Sequence, residues 1–192
     1  MTKIMEERYG KHKPLTVHRG DVHEFLGMTI DLSRKGKVMI SMIEYILRIF
    51  ELLPEKMQRD IKKGKITPAG DNLFTVNEED PVLLEEKDRT LVHSSTARLL
   101  FLGKRARPDI QIVIAFLCTR VKVADEDDYK KLERVMAYLY ATLYMPLILG
   151  VDGSGNIYWY KDGAHAVHTD MRGHTELVMT LGCGAVLSAS WK

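Results

Sequence analysis

The chain reads as an α+β protein, and three features of the sequence say so. Short apolar runs broken by glycine stand at residues 22–42, a second group follows Gly150, and the stretch between them carries apolar residues at three-and-four spacing. Strand-type segments therefore flank a helical middle. At 192 residues and 45% hydrophobic, the chain can bury a real core in one or two compact units.

The first strands are HEFLGMTIDL and KVMISM, a hairpin between Val22 and Met42 joined through SRKGK, where Gly36 can supply a positive φ. Phe25, Met28 and Ile30 with Val38 and Ile40 are its expected buried face. The alternation slips at Gly27, which points to a bulge or a close backbone approach there. At Ile43 the period changes: Ile43, Ile46, Leu47, Ile49, Phe50 and Leu53 predict an amphipathic helix that Pro54 interrupts. A basic stretch from Glu55 to Lys65 follows, carrying Lys56, Arg59, Lys62, Lys63 and Lys65. Gly64 and the turn residues Pro68, Gly70, Asp71 and Asn72 mark its end.

Residues 67–86 gather Glu78, Glu79, Asp80, Glu85 and Glu86 around Pro81 without either period, and read as a mobile connecting loop. An apolar helix is expected over residues 87–103, and after the KRARP turn another over 108–120. Pro108 in the first turn loses no needed donor, and Asp109 suits the positive end of the helix dipole. The acidic VADEDD segment precedes a third helix with Leu132, Val135, Met136, Leu139, Tyr140 and Leu143 on one face, closed by Pro146. After Gly150 the texture is β: NIYWYKDGAHAV, ELVMTLG and AVLSASWK. No internal repeat or low-complexity tract appears.

Lys and Arg number 28 against 26 Asp and Glu, so the charge is not that of a protein that coats DNA, and nucleic-acid contact must come from local patches. Cys118 and Cys183 lack CxxC spacing and sit among apolar residues, as reduced, buried thiols do. The amino terminus has no apolar core of a signal peptide, and no later stretch approaches eighteen uncharged apolar residues. The expectation is a soluble intracellular protein, cytoplasmic or nuclear, without a membrane partner.

Several short motifs then stand in a fixed order: FLGMTI, SRKGK and MISMIEYI near the start, RPDI at 107–110, RVMAYL at 134–139, YKDGAHA at 160–166 and LGCGAVLSASW at 181–191. Each is weak alone. In this order and spacing, over residues 20–192, they resemble the copia-type retrotransposon reverse transcriptases where these run into their RNase H domain. The resemblance implies three parts: residues 1–54 as the end of the palm with a primer-grip-like hairpin and a helix, 55–150 as a helical thumb and connection, and 151–192 as a truncated antiparallel RNase H-like sheet. It makes Phe25, Leu26, Gly27 and Met28 primer-grip-like. It places Lys56, Arg59, Lys62, Lys63 and Lys65 where a thumb contacts template-primer, and Asp162 as the first RNase H carboxylate. In the intact parent it implies RNA-directed DNA synthesis, an RNA/DNA hybrid or template-primer as partner, and magnesium as cofactor.

The departures from the family pattern concern catalysis. No YxDD-type turn precedes FLGM, and the family's second RNase H carboxylate, a glutamate on a helix after the third strand, falls beyond Lys192. Ala164 stands where a second acidic or polar residue is frequent, and HTEL at 174–177 replaces an STSG-like sequence. The expectation is a polyprotein fragment, divergent or decaying, that keeps binding surface and loses catalysis. It holds no cofactor itself. Lacking its covering helices, its last sheet is expected to leave one face open and to self-associate.

Plainer readings accompany these residues. The basic run is also a solvated helix face, Asp162 before glycine is also a turn signal, and DEDD at 125–128 is a solvated helix start rather than a metal site. His165, His168 and His174 match no helix-borne ligand pair and read as polar residues on the outer face and loop of the sheet. Tyr158, Trp159 and Tyr160 could stack on bases, but alternation favours packing in a core. Gly182 and Gly184 read as a hairpin turn. A rival from another class is a non-enzymatic interaction module built on the apolar helices of 87–144, and a further one is a degenerate gene product without function.

Overall fold

The structure is a computed structural model that describes residues 2–10 and 14–192. Left-handed residues shape its first sheet. Strands β1 (Val22–Phe25), β2 (Met28–Asp31) and β3 (Lys37–Ser41) form an antiparallel meander with Phe25 opposite Met28 and Ile30 opposite Ile40. Leu26 and Gly27, at φ 51° and 77°, make a two-residue turn of the primed kind whose twist matches the flanking strands. The slip in alternation at Gly27 is therefore this turn and not a bulge. Placing Phe25 at the turn also takes it out of the expected buried face: it is 59% exposed, while Met28 and Ile40 pack against the core.

Two distant segments complete the same sheet. Strand β4 (Leu147–Val151) pairs with β3, Met39 opposite Ile148. The strand character thus begins before Gly150, straight after Pro146. The two-residue strand β7 (Gly182–Cys183) then pairs with β4, giving the antiparallel order β1-β2-β3-β4-β7. The glycines of LGCG serve this pairing rather than a hairpin turn: Gly184 has φ 72°, and a β-carbon there would overlap the Ile148 carbonyl oxygen.

A second antiparallel sheet contains β5 (Tyr158–Ala164), β6 (His174–Thr180) and β8 (Leu187–Trp191) in that order. Its register sets Asp162 opposite Glu176 and Glu176 opposite Ser190, with Trp159, Met179 and Leu187 aligned on the other face. That other face is open. Trp159, Leu187 and Trp191 are exposed, as is Tyr160, so the aromatic string does not pack in a core.

One helix precedes these strands in sequence, and the others lie between β3 and β4. They are α1 (Thr2–Tyr9), α2 (Ile43–Glu51), α3 (Glu55–Asp60), α4 (Glu86–Gly103), α5 (Gln111–Arg120) and α6 (Glu126–Ala141), with 3-10 turns at Ile61–Lys63 and Pro108–Ile110. Ile46, Met57, Leu99, Leu102, Ile110, Ile114, Leu117, Leu132 and Met136 are essentially without solvent contact. Each such side chain stabilises the fold by ~1.5–3 kcal/mol relative to leaving it exposed. All the buried hydrophobic residues of this core fall between Met42 and Leu139, and none among the described residues comes from β5, β6 or β8.

The structure departs from expectation at an acidic run, a loop and the cysteines. Asp125 and Asp128 cap α6 reciprocally, each side chain accepting from the other's backbone N–H, and both are buried against Arg120 at 3.2 and 2.9 Å. The DEDD run is a buried cap and ion-pair cluster, not a solvated start. The 67–86 segment is anchored, since Leu73 is buried and Phe74, Val76 and Leu84 pack on the core. Cys118 is exposed on α5 and Cys183 half-buried, both as free thiols, because Cys118 falls on the outer side of its helix. Among the described residues, no helix is long and apolar enough to cross a membrane.

Candidate nucleic-acid interface

The basic stretch is held in place by its few apolar residues. Pro54 opens α3, and Met57 and Ile61, four apart on one helical face, are 1% and 2% exposed. Their burial turns Lys56, Arg59, Lys62 and Lys63 to solvent. Gly64, at φ 64°, ends the turn beside Ala141 of α6 and delivers Lys65 to the same surface. Lys63 forms an ion pair with Asp60 at 2.7 Å, which lowers the Asp60 carboxyl and raises the Lys63 amine.

Tertiary structure adds cations that spacing alone did not reveal. A cleft of about 370 Å³ between the 63–73 segment and α6 is lined by Lys63, Lys65, Lys130, Lys131 and Arg134, against Asp60, Asp127 and Glu133. Lys130 is paired with Asp127 at 3.3 Å. Arg134 donates through Nη2 to Thr67 Oγ1 at 2.8 Å, while its Nε is buried without a partner. Lys131 has a different task. It is buried, donates to the Thr75 carbonyl at 2.6 Å and lies 4.6 Å from the Phe116 ring, and burial pulls its amine below the ordinary lysine range against the attraction of Asp128, Asp125 and Asp127.

The neighbouring cleft, around Lys56, Lys63 and Lys130, is lined also by Asp60, Asp88, Glu126 and Glu133. Carboxylates outnumber cations there. The surface open to a polyanion is therefore the side of Lys65 and Arg134, together with the outward row of Arg59 and Lys62.

The primer-grip-like residues form the tip of the β1–β2 hairpin. Phe25 and Leu26 are 59% and 58% exposed, and Met28 turns inward. Gly27 lies 3.8 Å from Met42 and 3.9 Å from Tyr45 when given a β-carbon, so the tip rests on the start of α2. An exposed apolar pair on a rigid turn can press on a base or sugar, while its backbone stays hydrogen-bonded in the sheet.

Asp162 is exposed on β5 and accepts from the Gly163 N–H at 2.8 Å. Its cross-strand neighbour Glu176 is half-buried; burial raises its carboxyl above the usual range, the Ser190 hydroxyl works against this, and the charge of Asp162 adds to it. Among the described residues, no three His, Cys, Asp or Glu side chains converge as metal ligands. Two carboxylates on adjacent strands do not fit the ligand set that a two-metal phosphodiesterase site requires, so no step is derived through magnesium.

The histidines depart furthest from expectation. His168 and His174 are not on an outer face: they are 5% and 3% exposed, with His168 Nε2 3.1 Å from His174 Nδ1 and His174 Nε2 2.7 Å from Ser190 Oγ. Residue spacing gives no sign of this, because the turn at 165–173 folds back.

No family model matches the chain, and no solved structure matches it. A search of curated proteins finds a transposon Ty5-1 protein of Saccharomyces cerevisiae, 27% identical over 175 residues that cover 90% of this chain and 54% of that protein. The chain is thus similar, over nine-tenths of its own length, to a transposon protein of which it spans about half.

Proposed function

We propose that this chain is part of a retrotransposon Pol protein and serves it by holding nucleic acid. In this reading the β1–β2 hairpin and α2 correspond to the end of a reverse transcriptase palm. The helices correspond to a thumb and connection, and the β5–β6–β8 sheet to the start of an RNase H domain. The observation that carries it is the outward cationic row at Arg59, Lys62 and Lys65, fixed by the burial of Met57 and Ile61 and continued by Arg134 across the cleft. The similarity to a transposon protein supports the same reading.

Such a row neutralises backbone phosphates and releases their counterions, which makes binding fall steeply with salt and indifferent to sequence. Phe25 and Leu26, on the hairpin tip, would meet the primer strand near its end. The ligand is a template-primer or RNA/DNA hybrid. Asp162 is assigned no catalytic role, since it stands opposite Glu176 and, among the described residues, no three metal-ligating side chains converge.

Residues 87–144 keep Val92, Leu99, Leu102, Val113, Leu117 and Val135 in the core, so a docking platform on these helices would rest on the residues left exposed, Leu100, Val123, Tyr140 and Tyr144. The test is a titration of the purified chain with a fluorescent RNA/DNA hybrid across a range of salt. Affinity that drops linearly on a double-logarithmic plot supports phosphate contact, and a flat or absent response overturns it.

A further inference from the structure

The β5–β6–β8 sheet is attached to the helical body in an unusual way. The hydrophobic core ends at Leu139, and the buried residues that the sheet and its connecting turn contribute are polar: His168, His174 and Thr180. The attachment is built around the two histidines. Phe74 of the 64–85 segment lies 5.1 Å from each imidazole, and Phe116 of α5 stacks at 6.2 Å on His168. Beside them Gln111 of α5 donates to Ser188 Oγ at 2.6 Å, and Lys104 reaches the Ser188 carbonyl at 3.3 Å.

A bond between two imidazole nitrogens requires one to donate and the other to accept. One added proton buries a net positive charge among aromatic rings, and two turn both facing nitrogens into donors and abolish the bond. The charged groups around the pair do not compensate. Lys192, just after β8, acts on His168 with like charge and outweighs the opposing attraction of Asp170, whose carboxylate lies 2.8 Å from the Lys192 amine and 3.5 Å from Arg172. From α6, Lys131 presents its amine over the far aromatic ring, Phe116. Asp71 lines the cleft outside His168, and Glu176 is reached only through Ser190, with Asp162 beyond it.

We propose that the contact between this sheet and the helical body is an acid-released joint. With both histidines neutral the sheet docks, and with an imidazolium in the pair it comes away from α5 and the 71–76 segment and its strands open, tethered by the β7–β4 pairing, while the core between Met42 and Leu139 stays folded. Burial holds both imidazoles below their ordinary 6.5, His168 further through Lys192 and His174 further through His168. Their stabilising contribution is therefore complete above 6.5 and is lost as the pH falls below it. The released surface includes Phe74 and Phe116, and the sheet carries Asp162 away with it.

Amide exchange of the whole chain, corrected for the intrinsic effect of pH, tests the joint between about pH 7.5 and about pH 5.5. The expected result is that residues 158–180, 187–191 and 71–76 lose protection by about tenfold or more at the lower pH while 43–61 and 126–141 keep theirs. Imidazole nitrogen signals of the unmodified protein should titrate for two histidines over the same interval in which protection is lost. His174→Asn and His168→Gln remove the charge change, so a variant that folds should show the same protection at both pH values. Unchanged protection of 158–180 and 187–191 on acidification, or simultaneous loss across 43–61, overturns the proposal.

Discussion

Arg107 Nη2 lies 2.7 Å from Asp109 Oδ2, and the arginine side chain is only 2% exposed. Its Nε also donates to Asp109, at 3.0 Å to Oδ1, while the guanidinium reaches the end of α6 at the Thr142 carbonyl (3.1 Å) and hydroxyl (2.6 Å), and Tyr138 donates to Asp109 Oδ2 at 2.7 Å. The RPDI motif is therefore a clamp that ties the beginning of the 3-10 turn before α5 to the final turn of α6. Burial, then the bond to Asp109, pushes the Tyr138 phenol above its ordinary range.

Cutting this clamp on one side should be costly. Arg107→Ala leaves Asp109 with Tyr138 in place of the guanidinium, strips the Thr142 carbonyl of its arginine donor, and is expected to destabilise the fold by about 3–5 kcal/mol, whereas a double change of Arg107 and Asp109 to apolar residues should cost less than the sum. Urea unfolding followed by far-ultraviolet circular dichroism gives both numbers. Additive effects of the two single changes would show that the pair is not coupled.

The α6 cap has a second ion-pair cluster, with different consequences. Burial raises the Asp128 carboxyl above its ordinary value, while Arg120 and the Asp125 backbone N–H lower it. Removing Arg120 strips away the leading opposing influence, so Arg120→Met should lift the Asp128 carboxyl further and make the variant lose less stability than the parent on acidification. Comparing unfolding midpoints at neutral pH and near pH 4 measures this. A parallel loss in both proteins would contradict the assignment.

Gly184→Ala should disconnect β7 from β4, because the new methyl meets the Ile148 carbonyl at a positive φ. A loss of about 1–3 kcal/mol or more is expected, exceeding that for alanine at Gly155, where a φ of 74° brings backbone strain but nothing lies nearby. Thermal unfolding of the two variants makes the comparison.

For the nucleic-acid surface, charge reversal separates positions that sequence alone treats alike. Lys65→Glu and Arg134→Glu should weaken hybrid binding and flatten its salt dependence by about one charge each, while Lys56→Glu, beside Asp88 and Glu126, should change it least. Leu26→Ser should reduce affinity without flattening the salt dependence, since it removes apolar contact and no charge. Equal effects at all four positions would argue for diffuse attraction rather than a defined surface.

The fold class and the helices were legible because their signals are local. The change of period at Ile43, Pro108 in a first turn and the acidic start of α6 each act within one or two turns of chain. The slip at Gly27 pointed to a bulge or a close backbone approach and is a turn, because the same break in alternation accompanies each of them. Of the candidate interface, the 55–65 cations were visible as a run. Lys130 and Arg134 were not, since only the crossing of α6 over the end of α3 sets them beside Lys65. The buried histidine pair was likewise hidden: polar residues in a turn carry no mark of the aromatic rings that a distant loop and helix bring to them.

The position of β4 has a consequence for synthesis. Strand β3 is complete long before its partner, because Ile148 faces Met39 only after five helices have been made. While the ribosome elongates, the nascent meander carries an unsatisfied edge of backbone donors and acceptors that can recruit any extended neighbour. A chaperone that shields that edge, or a translation rate that shortens the wait, should therefore govern how much of the polypeptide reaches its native state.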